Sequence, residues 1–171
     1  AAPKFNVVSK PDDWSQTAER AARAHADGAL TPLKQQYLDY WSTFLDRVAA
    51  SEPKLRFSKP SATQYVTLGL GAGIQIYCAI RASDKSIRCG ATIQGKNPVY
   101  KFQLLESRKE EIEGALGFSI DWLEKSGRQR FGLEVVKYDA DPTMEPDWDR
   151  QHEWLLVQSK LLRETLARYV K

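Results

Sequence analysis

The sequence predicts an α+β domain, an antiparallel sheet of about five strands with helices packed on one face. Three observations carry this reading. Apolar residues recur every three or four positions over residues 33–48, alternate over residues 66–93, and return to helical spacing near the end of the chain. The alternating runs are separated by turns too short for a crossover helix, which makes neighbouring strands antiparallel. Strands so joined, with helices segregated to one face, form an α+β layer rather than a doubly wound sheet. The predicted order is α-α-β-β-β-α-β-β-α.

Residues 1–13 hold Pro3, Pro11 and the pair Asp12-Asp13, and too few apolar residues to found a core. They read as a tether from an absent upstream region, and an opening Ala1-Ala2-Pro3 without Met is expected of a processed or excised product. The remainder, residues 14–171, reads as one domain, with a peripheral segment at 14–30 and the core at 31–171. Residues 15–27 are Ala-rich and helical by expectation, with Gly28 as the C-terminal cap. Thr31-Pro32 then supplies an N-cap and first-turn proline. Behind it Tyr37, Tyr40, Trp41, Phe44 and Val48 make one apolar face that must end before Pro53.

Three strands follow. Val66, Leu68 and Leu70 alternate, as do Ile74, Ile76, Cys78 and Ile80, then Ile87, Cys89, Ala91 and Ile93. A two-residue loop at Ser83-Asp84 sets a register in which paired residue numbers sum to 167. That register places Ile80 opposite Ile87 and Cys78 opposite Cys89, with all four apolar pairs on one face. Asn97-Pro98 opens a helix through Phe102, Leu105, Ile112 and Leu116 to Gly117. Residues 120–125 and 130–138 are the last two strands, and the terminal helix carries Trp148, Leu155, Leu162 and Tyr169 at seven-residue steps.

With 171 residues, 42% apolar and 27% charged, the chain can bury a core and is neither disordered nor membrane-spanning in composition. No basic-then-apolar leader opens it, so the expected compartment is the cytoplasm. Two cysteines and two histidines cannot build a disulfide framework or a His-rich metal centre.

Several separated blocks resemble one family. They are Tyr40-Trp41; Leu55-Arg56-Phe57-Ser58-Lys59-Pro60-Ser61; Lys109-Glu110-Glu111-Ile112-Glu113 with Leu116-Gly117; residues 139–142; Asp147-Trp148-Asp149; and Gln151-His152-Glu153-Trp154-Leu155. In this order they resemble a bacterial domain of unknown function, family number 4268, from about Leu38 to the end. The resemblance implies a C-terminal domain joined to an upstream half that resembles a restriction-endonuclease-like nuclease. It implies no activity for the domain itself.

A nuclease centre of that kind needs an acid, then acid-x-Lys on a neighbouring strand, to hold a divalent metal. Pro11-Asp12 and Glu52-Pro53-Lys54 match the letters but fall in a tether and a helix-ending loop. Glu134 and Lys137 are one residue too far apart. The acidic stretch Asp139, Asp141, Glu145, Asp147, Asp149 lacks the glycine and ligand spacing of a calcium loop, and reads as a turn in which Asp147 caps the last helix. His152, one turn into that helix among tryptophans, reads as a packing residue. Glycines 69, 71 and 73 precede a strand rather than a helix, so they fit a bulged turn rather than a phosphate loop. Cys78 and Cys89 read as buried thiols. No catalytic residue, metal or cofactor is expected.

The charge distribution is informative. Residues 54–101 carry eight basic side chains against Asp84 alone, a net of +7, and the remainder is −4. The candidate nucleic-acid-binding residues are therefore Lys54, Arg56, Lys59, Tyr65, Tyr77, Arg81, Lys85 and Arg88, on a sheet face where bases interleave with tyrosines and amides. The expected function is a non-catalytic accessory module of a nuclease-like protein that contacts DNA or RNA. The alternative is a homodimerisation or interdomain docking module; no membrane partner is expected.

Overall fold

The computed structural model describes residues 28–125 and 130–170. The expected tether and the helix at 15–27 lie outside them. Helix α1 (Pro32–Ser51) starts where Thr31 accepts a hydrogen bond from the Lys34 amide (3.3 Å) and Pro32 occupies the first turn. Five strands follow in two groups: β1 (Tyr65–Gly71), β2 (Ile74–Arg81) and β3 (Ser86–Ile93), then β4 (Asp121–Lys125) and β5 (Arg130–Lys137). The sheet order is β1-β2-β3-β5-β4, and every neighbouring pair is antiparallel. The α+β architecture stands as the sequence predicts.

The β2–β3 register does sum to 167, from Arg81–Ser86 to Ile74–Ile93. The loop, however, holds four residues, 82–85, rather than two. Ser83-Asp84 cannot easily adopt the two left-handed conformations that a two-residue hairpin turn requires. The chain instead places one residue, Lys85, in the left-handed region (φ 50°), and the Lys85 amide donates to the Ala82 carbonyl. A bulge between Gly69 and Gly71 closes the β1–β2 turn, where Gly73 has φ 79° and leaves no room for a Cβ against the Gln94 carbonyl.

The single helix expected between β3 and β4 is two: α2 (Pro98–Glu106) and α3 (Lys109–Leu116). The Ser107 hydroxyl donates to the Leu104 carbonyl (2.7 Å), and the Arg108 amide reaches the Leu105 carbonyl, three residues back instead of four. Helical bonding resumes when the Ile112 amide finds the Arg108 carbonyl, and Gly117 in the left-handed region (φ 81°) ends α3. The long helix α4 (Trp148–Leu166) completes the chain, followed by a short 3-10 turn (Ala167–Tyr169).

Helix α4 lies across β2 and β3, with α1 and α3 beside it, and α2 covers β3 and β5. Between these layers Ile76, Ile80, Ile87, Cys89, Leu133, Leu155 and Leu162 are fully or almost fully buried. The Trp41 indole donates to the Thr63 carbonyl (2.8 Å), which fixes α1 against the approach to β1. On the other face of the strands Ser86, Gly90 and Gly132 are buried, and the remaining side chains that are described, Tyr65, Gln75, Tyr77, Arg88, Thr92 and Glu134 among them, are half-buried or exposed, so the described helices leave that face open.

The open sheet face as a candidate functional site

Pairing across the strands assembles the open face row by row. Tyr65 stands beside Ala79 and Ala79 beside Arg88. Thr67, Tyr77, Gly90 and Glu134 form the next row, across β1, β2, β3 and β5. Gln75, Thr92, Gly132 and Leu123 form a third, reaching β4. These rows line a concavity of about 450 Å³. Its floor is low at Ala79 and Gly132, which present a methyl group or nothing at all, while the Tyr77 ring covers Gly90.

At Gly90 the missing side chain is structural. A Cβ there would lie 2.4 Å from the Leu133 carbonyl oxygen and 2.7 Å from the Tyr77 hydroxyl. The Tyr77 side chain uses that space, leaning across β3 so that its hydroxyl donates to Glu134 Oε2 on β5 (2.6 Å). Arg88 donates to Glu134 Oε1 (3.2 Å) and Asp84 Oδ2 (2.9 Å), and Ser86 donates to Asp84 Oδ1. Burial and then the Glu134 carboxylate push the Tyr77 phenol far above its usual range. The Ser86 hydroxyl, followed by Arg88 and Arg81, holds the Asp84 carboxyl below its own. Tyr77 is thus a fixed, neutral hydrogen-bond donor, and Arg88 and Glu134, each with 14% of its side chain exposed, are a matched pair.

The eight residues singled out by charge fall into three places. Tyr65, Tyr77, Arg81 and Arg88 share the open face. Lys85 sits in the hairpin loop, 3.8 Å from Asp141. Lys54 stands in the turn after α1, and Arg56 and Lys59 flank the short contact with the outer edge of β1, where Phe57 bridges to Leu68 and the Ser58 amide donates to the Thr67 carbonyl. These three form no ion pair with any described residue, whereas Arg81 and Arg88 both face Asp84. The residue at the centre of this face that charge counting missed is Glu134. Its position on the face opposite Leu133 and Val135 was the signal available.

Other candidates resolve into structural roles. His152 is fully buried among Tyr40, Phe44 and Trp148, with ring centroids 4.5, 5.5 and 6.0 Å away. Burial, and then the Arg47 charge, lower its pKa to about 4. Asp147 does not cap α4 with its side chain; it takes hydrogen bonds from Arg150 and Gln151, which hold its pKa at about 2. Asp141 accepts from the Thr143 amide and hydroxyl, and Asp149 pairs with Arg47 (2.7 Å). Among the described residues no His, Cys, Asp or Glu group is arranged to hold a metal ion, and no helix is long and apolar enough to cross a membrane. Cys78 and Cys89 are free buried thiols 3.9 Å apart, and burial raises the Cys89 pKa.

The fold and this face define the class: a two-layer α+β domain with helices on one side of an antiparallel sheet and an open, hydrogen-bonding concavity on the other. The chain belongs to the family described as Domain of unknown function (DUF4268), whose model matches residues 36–170. No curated protein matches it. A chain in the solved structure named "Crystal Structure of the ExsC-ExsE Complex" is similar at 9% identity and a TM-score of 0.41, covering 82% of this chain and 97% of that one.

Proposed function

We propose that the domain is a non-catalytic accessory module that contacts nucleic acid through the open sheet face and its β1 edge. The observation that supports this most is the trio Lys54, Arg56 and Lys59, unpaired among the described residues, in the segment that meets the β1 edge of the sheet at Phe57 and Ser58. Phosphate contact belongs to that trio rather than to Arg88, whose charge Glu134 and Asp84 already satisfy. An upstream nuclease-like domain in the same parent chain would supply any catalysis.

The test is fluorescence anisotropy of labelled single-stranded and duplex oligonucleotides with the 171-residue chain. Three phosphate contacts on a single strand give a log–log salt slope of about −2, or roughly a 20-fold loss of affinity between about 50 and 200 mM salt. The triple variant Lys54→Glu, Arg56→Glu, Lys59→Glu should lose binding and remain folded. Absence of measurable binding at about 50 mM salt would sink the proposal.

One observation favours a second reading. The centre of the face is charge-balanced and includes the half-buried Leu123, which suits docking of another protein surface or a second copy of the chain. Light scattering that gives a stable dimer, together with indifference to nucleic acid, would select it.

A further inference from the structure

We infer that the concavity over Tyr77 is a stacking seat for an unpaired base, so that the ligand is a single strand and not a duplex. The inference rests on the nucleic-acid reading above and deepens it.

Charge is partitioned between the centre of the face and its edge. At the centre, the positive charge of Arg88 is met by Glu134 and Asp84, and the Tyr77 phenol is held neutral. In the segment that runs from α1 to the β1 edge, Lys54, Arg56 and Lys59 have no such partners among the described residues. A nucleotide divides itself in the same way, into an uncharged planar ring and an anionic phosphate. A neutral seat beside a cationic rim fits that division, whereas a purely electrostatic backbone site would have no use for a neutral centre.

The seat has the right shape and stiffness. Both the Tyr77 hydroxyl and Cζ lie 2.7–2.8 Å from where a Gly90 Cβ would stand, so the side chain crosses β3 along the sheet rather than rising from it. Its hydroxyl is tied to Glu134, and Glu134 to Arg88. A ring fixed in advance loses little rotamer freedom when a base stacks on it. The low floor at Ala79 and Gly132, beside the Tyr77 ring, leaves about 450 Å³, enough for one or two bases. Gln75, Thr92 and Gln94 stand at one end with amide and hydroxyl groups that match base edges, the Gln94 amide held only by a long contact to Thr92 (3.4 Å). Tyr65, 56% exposed, stands on the β1 side as a second aromatic surface. In a duplex the base faces are already stacked and cannot reach the floor of a concavity.

The test compares three ligands of equal length on the full 171-residue chain: a single-stranded oligonucleotide, the same strand with abasic positions throughout, and the duplex. One stacked base predicts a 5- to 150-fold advantage of the intact strand over its abasic twin. Tyr77→Ala should erase that advantage, and Tyr77→Phe should retain most of it because the ring remains. If intact and abasic strands bind equally, with the salt slope unchanged, the stacking seat is wrong while the phosphate contact stands. Equal or tighter binding of the duplex also overturns it. Failure of all three ligands to bind removes both readings. Should Tyr77→Ala not fold, the intact-versus-abasic comparison on the unaltered protein decides alone.

Discussion

His152 offers a stability measurement whose sign and size follow from its surroundings. The imidazole is fully buried in a box of Tyr40, Phe44 and Trp148, and neither ring nitrogen has a hydrogen-bond partner. The charged groups acting on it oppose each other: Arg47 disfavours the imidazolium and Asp149 favours it, so burial decides and the pKa falls to about 4. In the unfolded chain the same group titrates near 6.5. Above that value both states hold neutral histidine and the full stability is present. As the pH falls, the unfolded chain takes up the proton first, and stability is lost progressively between about 6.5 and 4, then levels off. At about 1.4 kcal/mol per pH unit the loss is about 3 kcal/mol. For a domain of this length that corresponds to a Tm decrease on the order of 10 °C. The assay is thermal or urea unfolding from pH 7.5 to 4 on the wild type and His152→Leu. Asp147, with its pKa at about 2, contributes mainly at lower pH and is common to both proteins. The wild-type curve should steepen below pH 6.5 relative to the variant; two curves that fall in parallel would refute the reasoning.

Three further outcomes are expected. Gly90→Ala should destabilise the fold by about 1–3 kcal/mol, because its Cβ would meet the Leu133 carbonyl at 2.4 Å and displace Tyr77; an unchanged Tm would contradict this. Arg88→Ala should cost about 1–3 kcal/mol by leaving Glu134 without its cation, and the double variant with Glu134→Ala should cost less than the two single changes together; strict additivity in the double-mutant cycle would show that the pair is uncoupled. Cys78 and Cys89, both fully buried, should resist a thiol reagent in the folded protein and react after denaturation; rapid native-state labelling would contradict their burial.

What could be read from the sequence was what local rules determine. The β2–β3 register is fixed by a short loop together with alternation that puts all four apolar pairs on one face, so a slip by one residue would expose Ile76, Cys78 and Ile80. The apolar stripe and cap of α1 are similarly self-contained. The division between α2 and α3 was not readable. The seven-residue step from Leu105 to Ile112 suits an unbroken helix, and only the Ser107 hydroxyl bonded to the Leu104 carbonyl shows where the ladder is interrupted. The partner of Arg88 was equally hidden. Glu134 comes to Gly90 and Arg88 through the β3–β5 pairing, which joins segments separated by two helices and a strand, with no short turn to set the register.

The β3–β5 pairing changes how the charge of this chain bears on its partner. A window along the sequence assigns +7 to residues 54–101, but charges act through space, and the sheet brings Glu134 and Asp141 from outside that window to Arg88 and Lys85. A charge reversal at Arg88 would therefore face two carboxylates and test folding before it tested binding. Reversals at Lys54, Arg56 and Lys59 disturb no described ion pair, so a loss of binding there reports on the ligand. If the domain instead docks to protein, the same three changes should leave association intact, while Leu123→Asp on the open face should disrupt it.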